Sequence, residues 1–414
     1  MNIFLLLIIV FLIGDYFLKL TAGILNIKNI SEKLPEEFTE YYDDKKYKKS
    51  QQYLKDKTKF NLVESGFLKI LIIVFILTGG FNTVDLWARN FGMGKIITGL
   101  IFTAILFLGI SIISVPFDWF KTFVIEEKYD FNKTDTKTFI LDRVKSFFLG
   151  LVIGSPLLAL ILWFFYSAGS NAWLYCWIAV IIFQYFLLYI SPVVILPLFN
   201  EFTPLKDGKL REAIEDYAQK MNFKIKGIFK IDGSRRSTKS NAYFTGLGKY
   251  KRIALFDTLI DNHSIKEIVS VLAHEVGHFT KKHIHKFMGM TVIKTGITFF
   301  LLKFFIYDRQ FYGAFQIENL ESIPIYAGLI FFSFLYIPVN RLLSIVVNIL
   351  SRKYEYQADR FAVDTYKNPE AFTRALKKLT VDNLGNLTPH PFKVFIDYSH
   401  PPVLQRIKAI KNLP

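Results

Sequence analysis

Apolar residues in this chain gather into long runs instead of alternating with polar ones. A membrane-crossing helix needs about 20 mainly apolar residues. Residues 3–20, 66–84, 96–115, 147–166 and 172–190 meet that length, and residues 288–306 and 325–347 add two more. The first run lacks a basic leader and a small-residue cleavage site, so it reads as a retained helix and not a signal peptide. Between the fifth and sixth runs the pattern changes. Residues 209–221 carry helical spacing, and the short apolar-rich runs 227–231, 241–244 and 252–256 read as strands. Residues 264–279 read as a helix with Ser264 as N-cap and Glu267 in the capping-box position. A further helical stretch covers residues 351–366. The pattern predicts a mainly α, polytopic membrane protein with about seven transmembrane helices and a small α+β unit with short strands. It divides the chain at 1–197, 198–287, 288–347 and 348–414: five helices with basic loops, an α+β segment, two more helices, and a C-terminal segment.

Composition agrees with a bilayer as solvent. Hydrophobic residues make up 52% of the 414 and Phe alone numbers 43, more than one soluble core uses. The net charge is +16, from 51 Lys and Arg against 35 Asp and Glu. No nucleic-acid module accompanies that charge, so nucleic acid is not expected as a partner. The positions of the basic residues explain it better. Nine lysines, Lys28 to Lys59, follow the first run, and Lys121, Lys128, Lys133, Lys137, Arg143 and Lys145 follow the third. The intervening loops hold only Arg89 and Lys95, then none, then Arg309. Basic loops stay on the cytoplasmic side, so this alternation puts the 198–287 and 348–414 segments and the C-terminus in the cytoplasm, at a bacterial cell membrane or the endoplasmic reticulum, with membrane lipids as constant partners.

The single cysteine, Cys176, excludes internal disulfides and cysteine-ligated zinc. Any metal must use His and carboxylates. His274-Glu275-Val276-Gly277-His278 supplies them. On a helix, residues i and i+4 share a face, so both imidazoles can reach one ion. Glu275 is offset around the axis, where its carboxylate can take a proton from an activated water and pass it to the leaving amine. A catalytic zinc site needs a third protein ligand and an open position. Glu355-Tyr356-Gln357-Ala358-Asp359 is the best source: Glu355 and Asp359 are again i and i+4, so one can ligate while the other orients a ligand histidine from behind. Two spans lie between His278 and Glu355, which returns the chain to the same side. The bland alternative for Glu355 is a surface carboxylate paired with Arg352 or Lys353. His263 reads as helix-flanking, His283 and His285 as part of a basic run beside the membrane, and His390 as a loop residue. Asp15, near the cytoplasmic end of the first run, reads as a hydrated structural carboxylate.

With these motifs in order, the chain resembles the Ste24-type CAAX prenyl proteases, within the wider group of membrane zinc proteases that includes HtpX. The resemblance runs over nearly the whole chain, through Leu54-Lys55-Asp56-Lys57, Phe123-Val124-Ile125-Glu126-Glu127-Lys128, Pro197-Leu198-Phe199-Asn200, Ser234-Arg235-Arg236-Ser237, Ser240-Asn241-Ala242-Tyr243-Phe244, the two metal motifs and Tyr398-Ser399-His400-Pro401-Pro402. It implies Glu355 as third zinc ligand and Glu275 as catalytic base. It also implies an edge strand Asn241, Ala242, Tyr243 and Phe244 pairing with an extended substrate, His400 stabilising the oxyanion, and Arg406 near the substrate. Two departures stand out: Lys239 where relatives often have His, which bears on substrate preference, and Asp130 where a Gly is common.

The expected function is a zinc endopeptidase removing the last three residues of prenylated proteins. The alternative is a quality-control protease for damaged or unprenylated membrane proteins. A scaffold or transporter with a vestigial site is disfavoured by the intact His274, Glu275, His278 and Glu355, and no Gly- or Pro-interrupted pair of spans favours transport.

Overall fold

The computed structural model describes residues 2–245, 252–317 and 322–413. In a bilayer only helices and closed barrels satisfy every backbone N–H and C=O, and the long apolar runs become helices. In chain order they are α1 (Ile3–Lys28), α2 (Asp44–Leu77), α3 (Gly80–Asn90), α4 (Lys95–Phe120), α5 (Thr136–Ser167) and α6 (Ala172–Ile190). Among the described residues, five helical stretches are long and apolar enough to cross a membrane: Ile3–Lys28, Asp44–Leu77, Lys95–Glu126, Thr136–Ser167 and Gly169–Leu198. They expose large apolar residues such as Ile70, Ile112, Val152 and Ile182, as lipid-facing surfaces require.

The expected count of about seven is not confirmed by length and composition among the described residues. Helices α12 (Ile325–Leu335) and α13 (Ile337–Tyr366) meet at 59° and add one span if taken together, for up to six. Pro338, in the first turn of α13, supplies no N–H to continue α12 through the bend. The run at 288–306 falls in α10 (His283–Leu302), where Lys286 and Lys294 interrupt the apolar surface. The second span also differs in its bounds. It begins within the basic loop and ends at Leu77, where Gly79 adopts φ +72 and the chain restarts as α3. The left-handed φ is what calls for glycine here; a Cβ would meet only the movable end of the Gln316 side chain, Oε1 at 2.7 Å.

The α+β unit holds a four-stranded sheet: β1 (Phe202–Pro204), β2 (Gly227–Ile231), β3 (Ala242–Thr245) and β4 (Arg252–Phe256), in the order β1-β2-β4-β3. β2 and β4 are parallel, and the outer pairs are antiparallel. The 241–244 strand thus begins one residue later than expected, and it lies at an edge. The three-residue β1 has too short a pattern to show in sequence. Around the sheet pack α7 (Lys209–Lys220), α8 (Asp257–Asn262) and α9 (Ile265–Thr280), and the chain closes with α14 (Pro369–Asp382), α15 (Pro391–Asp397) and α16 (Val403–Lys411). The short α11 (Arg309–Gly313) lies between α10 and α12.

One apolar core joins Ile214, Ile253, Leu272 and Val276 to Ala362, Phe372 and Ile410. The segments on either side of α10–α12 therefore build a single unit. A second, aromatic cluster (Phe38, Tyr42, Tyr53, Tyr129 and Phe131) binds the basic loops to Leu387 and Ile407 of the C-terminal region. That packing holds the catalytic unit against the helix bundle.

Candidate metal centre

Helix α9 is fixed at its start by the expected reciprocal cap: Glu267 N–H donates to Ser264 Oγ (3.4 Å) and Ser264 N–H donates to Glu267 Oε2 (2.9 Å). Two turns on, His274 and His278 emerge on one face, their Nε2 atoms 3.0 Å apart. Gly277, on the flank facing α13, lets that helix approach closely. A Cβ there would lie 3.1 Å from Phe361 Cβ and 3.2 Å from Ala358 Cα. The approach delivers Glu355. Its Oε2 is 3.5 Å from His274 Nε2 and its Oε1 3.3 Å from His278 Nε2. Ligand atoms of His274, His278 and Glu355 all lie within 4.8 Å of one another.

Two observations test whether these residues suit a cation. Glu355 Oε2 is buried without a hydrogen bond; Arg406 Nη1 and His274 Nε2 approach it only to 3.5 Å, so an ion seated between the three side chains would complete a carboxylate that is costly to bury unpaired. The electrostatics point the same way. Burial alone would lower the His274 pKa, but the carboxylates of Asp359 and Glu355 raise it to about 9. The pocket favours positive charge where the two Nε2 atoms converge. Two imidazoles and one carboxylate, with one side open to a cavity, fit a hydrolytic metal ion.

That cavity, of about 360 Å³, is bordered by Glu275, His400, Arg406 and, along one wall, Asn241 and Ala242. Glu275 is half-buried at its wall. Asn241 immediately precedes β3 and accepts from Phe256 N–H at 3.2 Å. Ala242, Tyr243 and Phe244 pair with Leu255, Ala254 and Ile253 of β4, and among the described residues no strand pairs with the opposite backbone edge of β3. His400 sits in the loop before α16, its side chain 65% exposed, with Nε2 3.4 Å from Glu355 Oε1. Asp359 lies behind His274, Oδ1 to Nδ1 at 2.8 Å. Arg406 borders the cavity, yet its guanidinium is spent on carboxylates. Nε and Nη2 donate to the two oxygens of Asp359 at 2.9 and 2.5 Å, and Nη1 is 3.5 Å from Glu355 Oε2.

Lys239 does not line the cavity. Its ammonium donates to Tyr53 Oη (2.9 Å) and Glu126 Oε2 (2.5 Å) and lies 4.2 Å from the Phe131 ring centroid. It ties the loop before β3 to the basic-loop helices. Asp130 adopts φ +64, a left-handed conformation that glycine takes without strain, and it pairs with Lys49.

Reading the sequence missed His283. Although it belongs to the basic run beside the membrane, its side chain is fully buried. It contacts His278 Nδ1 through its own Nδ1 at 3.0 Å and Gln357 Oε1 through Nε2 at 3.0 Å. The cause is a turn at Lys282, φ +56, that folds the start of α10 back onto α9; no glycine or proline marks it. His263 is buried between α8 and α9, and His390 caps α15 by accepting from Phe392 N–H at 3.1 Å. Asp15 is not left to water. Arg341, Lys19 and Lys69 surround its carboxylate at 2.6, 3.2 and 3.4 Å.

A helical membrane bundle carrying a His-Glu-x-x-His helix, a carboxylate from a second helix and, among the described residues, an unpaired strand edge at one cavity defines a membrane-embedded metallopeptidase. The family models agree: residues 24–201 match the CAAX prenyl protease N-terminal model with its five membrane helices, and residues 204–413 match peptidase family M48. The chain belongs to peptidase family M48, in its Ste24 or CAAX prenyl protease 1 branch. A CAAX prenyl protease 1 homolog of Oryza sativa is 36% identical over 92% of this chain and 90% of its own. The Saccharomyces cerevisiae CAAX prenyl protease 1 is 34% identical over 91% of this chain and 88% of its own. The crystal structure of S. mikatae Ste24p superposes with a TM-score of 0.94 at 32% identity, over 98% of this chain and 99% of that one.

Proposed function

We propose that this protein is a zinc-dependent endopeptidase that removes the last three residues of proteins bearing a prenylated C-terminal cysteine, working from the cytoplasmic face of its membrane. One observation carries the reading: His274, His278 and Glu355 offer three ligand atoms within 4.8 Å at the edge of a cavity that Glu275 and an unpaired strand edge share. The names of the relatives, CAAX prenyl protease 1, support the substrate class. An unprenylated, quality-control substrate is the alternative outcome.

His274, His278 and Glu355 would hold the ion. When bound, zinc supplies the Lewis-acidic charge that polarises a carbonyl and makes water a nucleophile near neutral pH. The edge of β3 aligns an extended peptide through backbone hydrogen bonds, with Asn241 and Ala242 at the cavity wall. Glu275 takes the proton from the attacking water and returns it to the amine of the released tripeptide. His400 donates from Nε2 to the carbonyl oxygen as negative charge develops there. Asp359 holds His274 by its Nδ1–H, and Arg406 holds Asp359. The seven-crossing topology, with α10 as the sixth span, belongs to the same proposal: it brings both catalytic segments to one side.

The test is cleavage of a farnesylated CAAX peptide beside its unfarnesylated twin. Selective cleavage of the farnesylated peptide after the modified cysteine supports the reading. Equal cleavage of both assigns the enzyme to unprenylated substrates instead, and cleavage of neither removes the substrate class.

A further inference from the structure

An imidazole that gives Nε2 to a metal carries its proton on Nδ1, and that N–H needs an acceptor to fix the ring. Behind His274 the acceptor is the Asp359 carboxylate. Behind His278 it is another imidazole, His283, Nδ1 to Nδ1 at 3.0 Å. We propose that His283 is a positioning residue for the metal centre: it accepts the His278 Nδ1–H, and Gln357 holds it in the tautomer that can accept.

The inference rests on the ligand assignment above, and the protons then follow from donor and acceptor chemistry. With His278 Nε2 given to the ion, Nδ1 carries hydrogen, so His283 Nδ1 must be bare. The His283 proton is then on Nε2, which faces Gln357 Oε1 at 3.0 Å, an amide oxygen that can only accept. Turning the Gln357 amide round would place its NH₂ against Nε2 and drive the His283 proton onto Nδ1, where it would oppose the His278 proton. Only one arrangement satisfies both contacts. The ring is also held flat. His283 stacks on Tyr354 with centroids 4.5 Å apart and planes 13° from parallel.

Tyr354 and Gln357 flank Glu355 on one turn of α13. That helix therefore gives the metal its carboxylate and sets both histidines, His274 through Asp359 and His278 through Gln357 and His283. The two ligands become unequal. The carboxylate-backed His274 is the more basic donor, while the neutral backing of His278 adds no further negative charge and leaves the ion more electrophilic.

The experiment measures zinc affinity of the full-length protein in detergent by competition with a chelator. It compares wild type, His283→Asn, His283→Phe, Gln357→Leu and Glu355→Ala, with thermal unfolding of each metal-free form. Asn places an oxygen acceptor where Nδ1 stood. Phe keeps the ring and the Tyr354 stack but accepts nothing. We expect His283→Phe to lose about 10- to 100-fold in affinity, His283→Asn to stay within about 3-fold of wild type on the same reasoning, and Gln357→Leu to fall between. A purely structural role would reverse the order of the two His283 variants. Equal affinity in wild type and His283→Phe, or equal weakening in Asn and Phe, overturns the proposal. Should His283→Phe not fold, Gln357→Leu decides, and wild-type affinity there overturns it. Zinc bound equally by wild type and Glu355→Ala would bring down the ligand assignment itself, a separate failure.

Discussion

At the scale of single residues, the centre depends on which side of each imidazole is occupied. His274 and His278 were legible because four-residue spacing on a helix puts two side chains on one face, and Glu355 and Asp359 repeat that spacing on α13. Arg406 was legible only through family resemblance. The structure adds a contact no spacing shows, a bidentate bond to Asp359. His283 was not legible because its place depends on one left-handed residue, Lys282, within a basic run. The Asp359 bond leads to a prediction. Asp359→Asn keeps the shape but can present its NH₂ to His274 Nδ1, forcing the wrong tautomer. Zinc affinity should fall about 10- to 100-fold, measured by chelator competition. Unchanged affinity would show that the Asp359 contact does not orient the ligand.

At the scale of elements, two helices must meet closely for Glu355 to reach His274 and His278. Gly277 permits it, since a Cβ would come within 3.2 Å of the Ala358 backbone. Gly277→Ala should push α9 and α13 apart by a few tenths of an ångström at a cost of about 1–3 kcal/mol, and zinc affinity should drop with stability. Thermal unfolding with and without zinc separates the two effects.

The α9 cap was readable from Ser264 and Glu267, and its energetics go beyond the cap. Glu267 also accepts from Lys378 Nζ at 2.8 Å. Burial alone would raise the Glu267 pKa, but Lys378 and the Ser264 N–H outweigh it and hold it below the ordinary carboxylate value. A carboxylate depressed in the folded state stabilises above its unfolded pKa and loses that contribution as pH falls through the folded value. Glu267→Gln should therefore cost about 1–3 kcal/mol at pH 7. The gap to wild type should narrow as pH drops below the unfolded value of about 4.3. A gap independent of pH would assign the loss to shape alone. By contrast β1 and the break at Gly79 escaped the sequence: one is three residues long, and the other interrupts a continuous apolar run.

At the scale of the molecule, hydropathy identified five N-terminal spans, and the two further apolar runs fall where helices carry charge or bend. α10 holds two lysines, and α12 and α13 turn through 59°. Apolar run length cannot report a bend, because the bend is set by packing around Pro338. The sidedness is testable because the chain has one cysteine, Cys176, and it is buried. In a Cys176→Ala background, Lys46→Cys and Asn90→Cys each place a thiol at an exposed position. In right-side-out vesicles an impermeant maleimide should label Asn90→Cys at once and Lys46→Cys only after permeabilisation. The reverse pattern would invert the topology and put the catalytic unit outside.

The central claim is that His274, His278 and Glu355 hold a catalytic metal whose proton transfers run through Glu275. The most direct test is metal content and peptidase rate together, in wild type and Glu275→Gln. One zinc per chain is expected in both proteins, with a rate loss of about 10²- to 10⁴-fold in the variant. A zinc-loaded Glu275→Gln that cleaves at the wild-type rate would contradict it.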